Sequence, residues 1–133
     1  MASDYLPTMT GIARFSLVAV DCLRPLELAQ FYAAVTGWQL RGEPNPEDDW
    51  VQLVSPQGAT IAFQLAPGHQ PPTWPSDDHP QQLHIDFDVA DLEVGEQAVL
   101  AIGATKADTQ PGGQNFRVYL DPAGHPFCLV LDH

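Results

Sequence analysis

Positive charge is scarce in this chain, which has 5 Lys and Arg against 17 Asp and Glu and a formal net charge of −12. Nucleic-acid binding depends on Lys and Arg side chains that neutralise phosphates, and docking on an anionic membrane uses the same charges. The sequence therefore argues against both kinds of partner. It also lacks an apolar run near the ~20 residues that a membrane-spanning helix needs.

Cysteine is equally scarce, since Cys22 and Cys128 are the only two. Two cysteines are too few for a disulfide framework. Residues 1–15 have no basic start followed by an apolar stretch, so we expect no secretory signal. These features predict a reducing, cytoplasmic location. Phosphate-cradling glycine loops and a nucleophile-elbow serine are also missing from the sequence.

Hydrophobic residues, by contrast, make up 44% of the 133 residues, which is enough for the core of one domain. A connection at residues 66–82 contains five prolines and excludes a central strand or a helix interior there. It separates two segments of similar length, residues 12–65 and 83–131. We predict that these segments are two units of a single domain.

Both units show the same order of elements: a strand, a helix and three strands. Pro25 and Asp91 are suited to the two helix starts, and Gly37 and Gly103 to the two helix ends. The predicted strands are 15–21, 38–41, 50–54 and 60–65 in the first unit, and 83–89, 105–107, 116–120 and 126–131 in the second.

Two sequence features, a turn and a helix-ending glycine, occur in both units at the same separation along the chain. The turn sequences Ser-Pro-Gln-Gly at 55–58 and Asp-Pro-Ala-Gly at 121–124 lie 66 positions apart, as do Gly37 and Gly103. This repetition predicts an α+β fold of two βαβββ units. We expect their paired, curved mixed sheets to surround a cleft, with the helices outside.

The segments FYAAVTGW (31–38), LHIDFDVADLE (83–93) and DPAGHPFCLV (121–130) carry a family resemblance. The chain resembles the vicinal oxygen chelate superfamily, which includes glyoxalase I, extradiol dioxygenases and bleomycin- and fosfomycin-resistance proteins. It is most similar to the small glyoxalase-like domains, over about residues 12–131. The resemblance implies a cleft site and frequent dimers, and in some members a divalent metal.

The resemblance also implies where metal ligands would lie, on the first and last strand of each unit. In this chain the implied set is Leu17, Gln64, His84 and Cys128. Leucine cannot bind a metal, and an amide oxygen is a modest ligand. We therefore expect no cofactor, with a metal held by His84, Gln64 and Cys128 as the alternative.

Strand alternation assigns the cleft-facing side chains. In the strand at 83–89, His84, Asp86 and Asp88 share one face, and Ile85, Phe87 and Val89 share the face under the helices. Gln64 and Cys128 are expected to face the cleft from the two closing strands. His84 and Asp86 are the candidates for proton transfer, and the two carboxylates could instead hold a cationic ligand or be merely solvated.

Aromatic residues near loops complete the predicted site. Trp50 follows an acidic loop, Trp74 lies in the proline-rich connection, and Phe116 follows Gly112-Gly113. Flat rings around a concave site suit an organic ligand. Trp74 could equally fasten the connection to the body of the domain.

Three functions remain open. The first is binding of a small organic molecule in the cleft, with lyase or isomerase activity if the protein is an enzyme. The second is non-catalytic sequestration of a cationic or aromatic drug, as in bleomycin-resistance proteins. The third is a metal-dependent lyase or dioxygenase. A homodimer is also expected, because the final strand FCLVLDH has few charges and could pair at an edge.

Overall fold

The computed structural model describes residues 11–132. Residues 1–10, which hold most of the stretch behind the expectation of no secretory signal, lie outside this range. The elements are β1 (Val18–Cys22), α1 (Pro25–Thr36), β2 (Gln39–Leu40), β3 (Trp50–Val54), β4 (Thr60–Leu65), β5 (Ile85–Val89), α2 (Leu92–Ala101), β6 (Thr105–Lys106), β7 (Phe116–Leu120) and β8 (Pro126–Leu131). No helix in the described range is long and apolar enough to cross a membrane.

The two units form two four-stranded mixed sheets with the same topology. Their strand orders are β1-β4-β3-β2 and β5-β8-β7-β6. In each sheet the first strand pairs in parallel with the last, with Val18 opposite Ile61 in one and Ile85 opposite Phe127 in the other. The predicted α+β fold of two βαβββ units is confirmed.

Strand bounds differ from the predicted ones mainly at the first strand of each unit. Ladder pairing begins only at Val18 and Ile85, whereas the sequence pattern placed the starts at Phe15 and Leu83. A strand is bounded by its hydrogen-bonding partners, and apolar alternation continues beyond them. The short β2 likewise covers only the two residues that pair with β3.

The helix ends follow the predicted signals. Pro25 opens α1, where a missing N–H costs no hydrogen bond, and Gly37 closes it in the left-handed conformation at φ 76°. The Asp91 side chain accepts a hydrogen bond of 3.0 Å from the N–H of Val94 at the start of α2. These local signals therefore fix where each helix lies along the chain.

The repeated turns share their hydrogen bonds as well as their sequence pattern. The Ser55 hydroxyl accepts from the N–H groups of Gln57 and Ala59, at 3.1 and 2.9 Å. One carboxylate oxygen of Asp121 accepts from the N–H groups of Ala123 and His125, at 2.9 and 3.0 Å. The duplication thus extends to individual main-chain contacts.

Helix α1 provides the centre of the hydrophobic core and contacts both sheets. The Tyr32 ring lies 5.8 Å from Phe63 in β4, and 6.1 Å from both Phe87 in β5 and Phe127 in β8, measured between ring centroids. Phe31 adds an edge-on contact with Phe127 at 5.7 Å. This aromatic cluster joins the two units into one core.

The last strand of the chain does not provide the free edge that the sequence predicted. β8 lies inside its sheet, between β5 and β7. The parallel pairing with β5 satisfies one side of β8 and the antiparallel pairing with β7 satisfies the other. The scarcity of charge in FCLVLDH therefore reflects an internal position, and the edge-pairing argument for a homodimer was wrong.

Candidate functional site

The candidate site lies on the open face of the second sheet, which we define as the face opposite the helices. Phe87 and Val89 pack against the core, whereas Asp86 and Asp88 are exposed. On the neighbouring β8, Phe127 and Leu129 are buried in the core. The predicted division into a core face and an open face is confirmed for β5, whereas on β8 the open-face residue Cys128 is itself buried.

Three predicted residues come together on this face. The Nε2 atom of His84 lies 3.4 Å from a carboxylate oxygen of Asp86, and about half of each side chain is exposed. Asp86 is also the register partner of Cys128 on the adjacent strand. The sheet thus places an imidazole and a thiol on either side of one carboxylate.

Cys128 is almost buried and is held as a thiol. Burial raises its pKa to about 11, and the neighbouring Asp86 carboxylate adds to the shift by its charge and by hydrogen bonding. Because a thiolate is the nucleophilic form of cysteine, this environment opposes a nucleophilic role near neutral pH. It also opposes metal binding, which needs the thiolate.

The other predicted residues lie elsewhere. Gln64 and Trp50 are register partners in the first sheet, and Gln64 is exposed. Phe116 pairs with Val130, next to Asp88 in the second sheet. Trp74 is half-buried in the connection. This burial fits both a ligand contact and a packing role, and both stay predictions.

Ladder register corrects the proposed correspondence between the units. β1 and β5 are related by 67 positions, which makes Leu17 the counterpart of His84. β4 and β8 are related by 66 positions, so Ala62 and not Gln64 is the counterpart of Cys128. Gln64 corresponds instead to Val130.

This register decides how well the chain fits a divalent metal. The four corresponding positions are Leu17, Ala62, His84 and Cys128, and only the last two carry a donor atom. Within residues 11–132, no three His, Cys, Asp or Glu side chains are grouped as a metal would require. A divalent metal prefers three or four ligands, with carboxylates for the harder ions. The residues present do not fit a catalytic metal.

A buried polar cluster lies between the two units and was not predicted from the sequence. The Tyr32 hydroxyl donates a hydrogen bond of 2.5 Å to the second carboxylate oxygen of Asp121. His125 is buried, and its Nε2 lies 2.7 Å from the main-chain oxygen of Asp21. Burial raises the pKa of Asp121, and the hydrogen bond from Tyr32 partly offsets that rise. His125 therefore has a structural role at the turn.

A second polar network lies under α2. The Glu96 carboxylate accepts hydrogen bonds from Arg117 at 3.1 Å and from the Tyr119 hydroxyl at 2.8 Å, and forms an ion pair of 3.1 Å with Lys106. Burial opposes ionisation of Glu96, but these partners bring its pKa below the usual value. Two of the chain's five cationic side chains are thereby held on the helix side of the sheet.

Comparison with known proteins agrees with this fold. A chain of two βαβββ units has the fold of the vicinal oxygen chelate superfamily. A family model described as a glyoxalase-like domain matches residues 17–130, and the chain belongs to that family. A search of curated proteins found no significant match.

Solved structures with the same fold include three informative neighbours. A glyoxalase/bleomycin resistance protein/dioxygenase family enzyme from Burkholderia phytofirmans has 17% identity and a TM-score of 0.65, over 87% of this chain and 96% of that one. A fosfomycin resistance protein from Listeria monocytogenes has 14% identity and a TM-score of 0.65, over 92% and 96%. A hypothetical protein from S. aureus has 18% identity and a TM-score of 0.64, over 92% and 100%. At these identities the likeness concerns the fold alone.

Proposed function

We propose that this protein binds a small organic cation on the open face of its second sheet and does so without a catalytic metal. The observation that supports this proposal is a row of exposed side chains beside an apolar surface. The row consists of His84, Asp86 and Asp88, and the half-buried Val130 and Phe116 lie next to it. β5 and β8 contain no Lys or Arg. An anionic row beside an apolar surface is complementary to a ligand that is both cationic and apolar.

Sequestration of a cationic drug is a form of the same binding function. The similarity to structures described as bleomycin and fosfomycin resistance proteins makes drug binding a reasonable class to test. The net charge of −12 supports it as well, because the field of the whole molecule attracts cations.

Catalysis of a lyase or isomerase type is the second candidate. The observation that favours it is the 3.4 Å approach of the His84 imidazole to the Asp86 carboxylate. A carboxylate next to an imidazole can orient the ring and stabilise its protonated form, which are the requirements for moving a proton to or from a bound substrate. Glyoxalase I-like and dioxygenase chemistry through a metal is less well supported, because the donor set does not fit one.

Asp86→Asn is the direct test of the cation site. Loss of the carboxylate charge is expected to lower the affinity for benzyltrimethylammonium at least fivefold, measured by isothermal titration calorimetry. The affinity for benzyl alcohol is expected to change less than twofold. Asp108→Asn makes the same charge change at another exposed position and is the matched control. Equal weakening by both variants, or equal effects on both compounds, would contradict a specific cation site.

Metal content separates the third function from the other two. Protein purified without chelators is expected to contain less than about 0.1 equivalent of any divalent transition metal by elemental analysis, because only His84 and Cys128 of the four corresponding positions offer donor atoms. One equivalent per chain that disappears in His84→Ala would reverse this expectation and favour a metal enzyme.

Location and assembly are also proposals. Cys22 and Cys128 are both free and buried, which supports a reducing, cytoplasmic setting. A homodimer is proposed only on the resemblance to a superfamily in which dimers are frequent, and light scattering of the full chain tests it.

A further inference from the structure

The open face of the second sheet contains two cross-strand rows of side chains that differ in the apolar surface they expose. Each row begins at an acidic residue of β5, crosses β8 and ends on β7, with Asp86, Cys128 and Val118 in one row and Asp88, Val130 and Phe116 in the other. In the Asp86 row, Cys128 is 8% exposed and Val118 is 3% exposed, so a ligand gains little apolar contact there. In the Asp88 row, Val130 and Phe116 are only half-buried, so an apolar group can cover them.

Asp88 supplies the charge of the second row and is exposed on the edge strand of the sheet. The Asp86 carboxylate lies 3.4 Å from His84 Nε2, whereas no ion pair within residues 11–132 includes Asp88. Asp86 is two positions away on the same face of β5, so its charge adds to that of Asp88. The Asp88 carboxylate is therefore available to an external cation.

The main chain of the loop before β7 fixes the position of the Phe116 ring. A Cβ atom added at Gly112 would lie 2.6 Å from Phe116 Cγ and 2.7 Å from Phe116 Cδ1, which is closer than side chains tolerate. Glycine at position 112 is thus what allows the loop and the ring to pack this closely. A ring that is already held in place loses little conformational freedom when a ligand stacks on it.

The row also sets the distance between the charge and the ring. Neighbouring strands lie ~4.8 Å apart, and β8 separates β5 from β7, so the Cα atoms of Asp88 and Phe116 are roughly 10 Å apart. The side chain of Val130 lies between them on the same face. A ligand whose ring is attached directly beside its charge cannot contact both ends of the row, whereas a ligand with an aliphatic spacer can.

We propose that the ligand of the open face is an elongated aralkylammonium compound, in which an aliphatic chain separates the cationic group from an aromatic ring. Asp88 binds the cationic group, Val130 contacts the chain, and Phe116 stacks on the ring and determines this specificity. The inference rests on the proposed cation site and adds the class of ligand that the site selects.

The test compares three cations by isothermal titration calorimetry with the full chain: tetramethylammonium, benzyltrimethylammonium and 5-phenylpentyltrimethylammonium. The phenylpentyl compound is expected to bind at least fivefold more tightly than the benzyl compound, because only its ring reaches Phe116 while its charge is at Asp88. This comparison uses the native protein and does not depend on the folding of any variant. A smaller difference between the two compounds would overturn the inference.

Phe116→Leu removes the ring and keeps an apolar side chain. It is expected to reduce the advantage of the phenylpentyl compound over the benzyl compound to less than twofold and to leave the affinity for tetramethylammonium within twofold. Phe116→Tyr keeps the ring and is expected to keep the advantage. Phe15→Leu is the matched control, because it makes the same change at a ring of the first unit that is 75% exposed, and it is expected to change no affinity more than twofold.

Equal effects of Phe116→Leu and Phe15→Leu would overturn the specificity inference. A loss of tetramethylammonium binding in Phe116→Leu would also overturn it, because the ring would then hold the cation itself. In both cases the proposed cation site stands if Asp86→Asn still weakens the binding of benzyltrimethylammonium. If Asp86→Asn leaves the affinities for all three cations unchanged, the proposed function fails and this inference fails with it.

Discussion

Asp86 is the residue on which the candidate site depends, because it is the neighbour of both His84 and Cys128. Its carboxylate lies 3.4 Å from His84 Nε2 and is one cause of the raised pKa of Cys128. The same charge that would attract a cation therefore also suppresses the thiolate. Charge at this single position favours ligand binding over nucleophilic chemistry.

Alkylation of Cys128 measures this effect. In the native protein the thiol pKa of about 11 means that the reaction with iodoacetamide is slow at pH 8 and accelerates as the pH rises toward 11. Asp86→Asn removes a charge that raises the pKa, so the rate at pH 8 is expected to increase severalfold. Peptide mass spectrometry distinguishes Cys128 from Cys22, whose pKa burial also raises to about 11. An unchanged rate at Cys128 would show that burial alone sets its reactivity.

At the scale of elements, the turn at Asp121 and helix α1 form the polar connection between the two units. The corresponding turn begins with Ser55, whose single side-chain oxygen is already used within the turn. A carboxylate has a second oxygen, and in Asp121 this oxygen accepts a hydrogen bond from the Tyr32 hydroxyl of α1. The difference between serine and aspartate at one turn position thus adds a link between units.

Tyr32→Phe tests that link. Removing the hydroxyl leaves one buried carboxylate oxygen without its donor, and hydrogen bonds to charged groups contribute about 1.5–3 kcal/mol. We expect the free energy of unfolding, measured by urea denaturation, to fall by about 2 kcal/mol. The control is Tyr119→Phe, because the acceptor of Tyr119 is Glu96, which keeps Arg117 and Lys106 as partners. A loss from Tyr32→Phe no larger than that control would mean that the link contributes little.

Over the whole molecule, charge is distributed unevenly between the two sides of the second sheet. Arg117 and Lys106 pair with Glu93 and Glu96 on the helix side. On the open side β5 carries Asp86 and Asp88, and β8 has no charged residue. With a net charge of −12, the chain as a whole attracts cations, and the open face adds no local barrier to them.

This distribution predicts a strong dependence on salt. The association rate of benzyltrimethylammonium, measured by stopped-flow fluorescence, is expected to fall at least threefold between 20 and 200 mM NaCl, because the Debye length is already down to about 10 Å at 0.1 M. The rate for neutral benzyl alcohol should not change. A salt dependence shared by the two compounds would not support electrostatic attraction.

Much of the architecture follows from short-range signals. Pro25, Gly37 and Asp91 fix helix ends through their own backbone chemistry. The two Pro- and Gly-containing turns fix hairpins in the same way, and strand alternation placed Asp86 and Asp88 opposite the core. Each of these properties is decided within a few residues and repeats at one spacing, so the sequence alone determined the duplicated fold and the family.

Register and contacts between distant segments could be decided only by the tertiary structure. The pairing of β8 with β5 made the last strand internal, and ladder register replaced Gln64 by Ala62 as the counterpart of Cys128. Tyr32 has the position of an apolar helix residue in the sequence, yet its hydroxyl reaches a turn 89 residues away. Such contacts depend on side chains from segments far apart in the chain, because packing in three dimensions and not local conformation determines which of them meet.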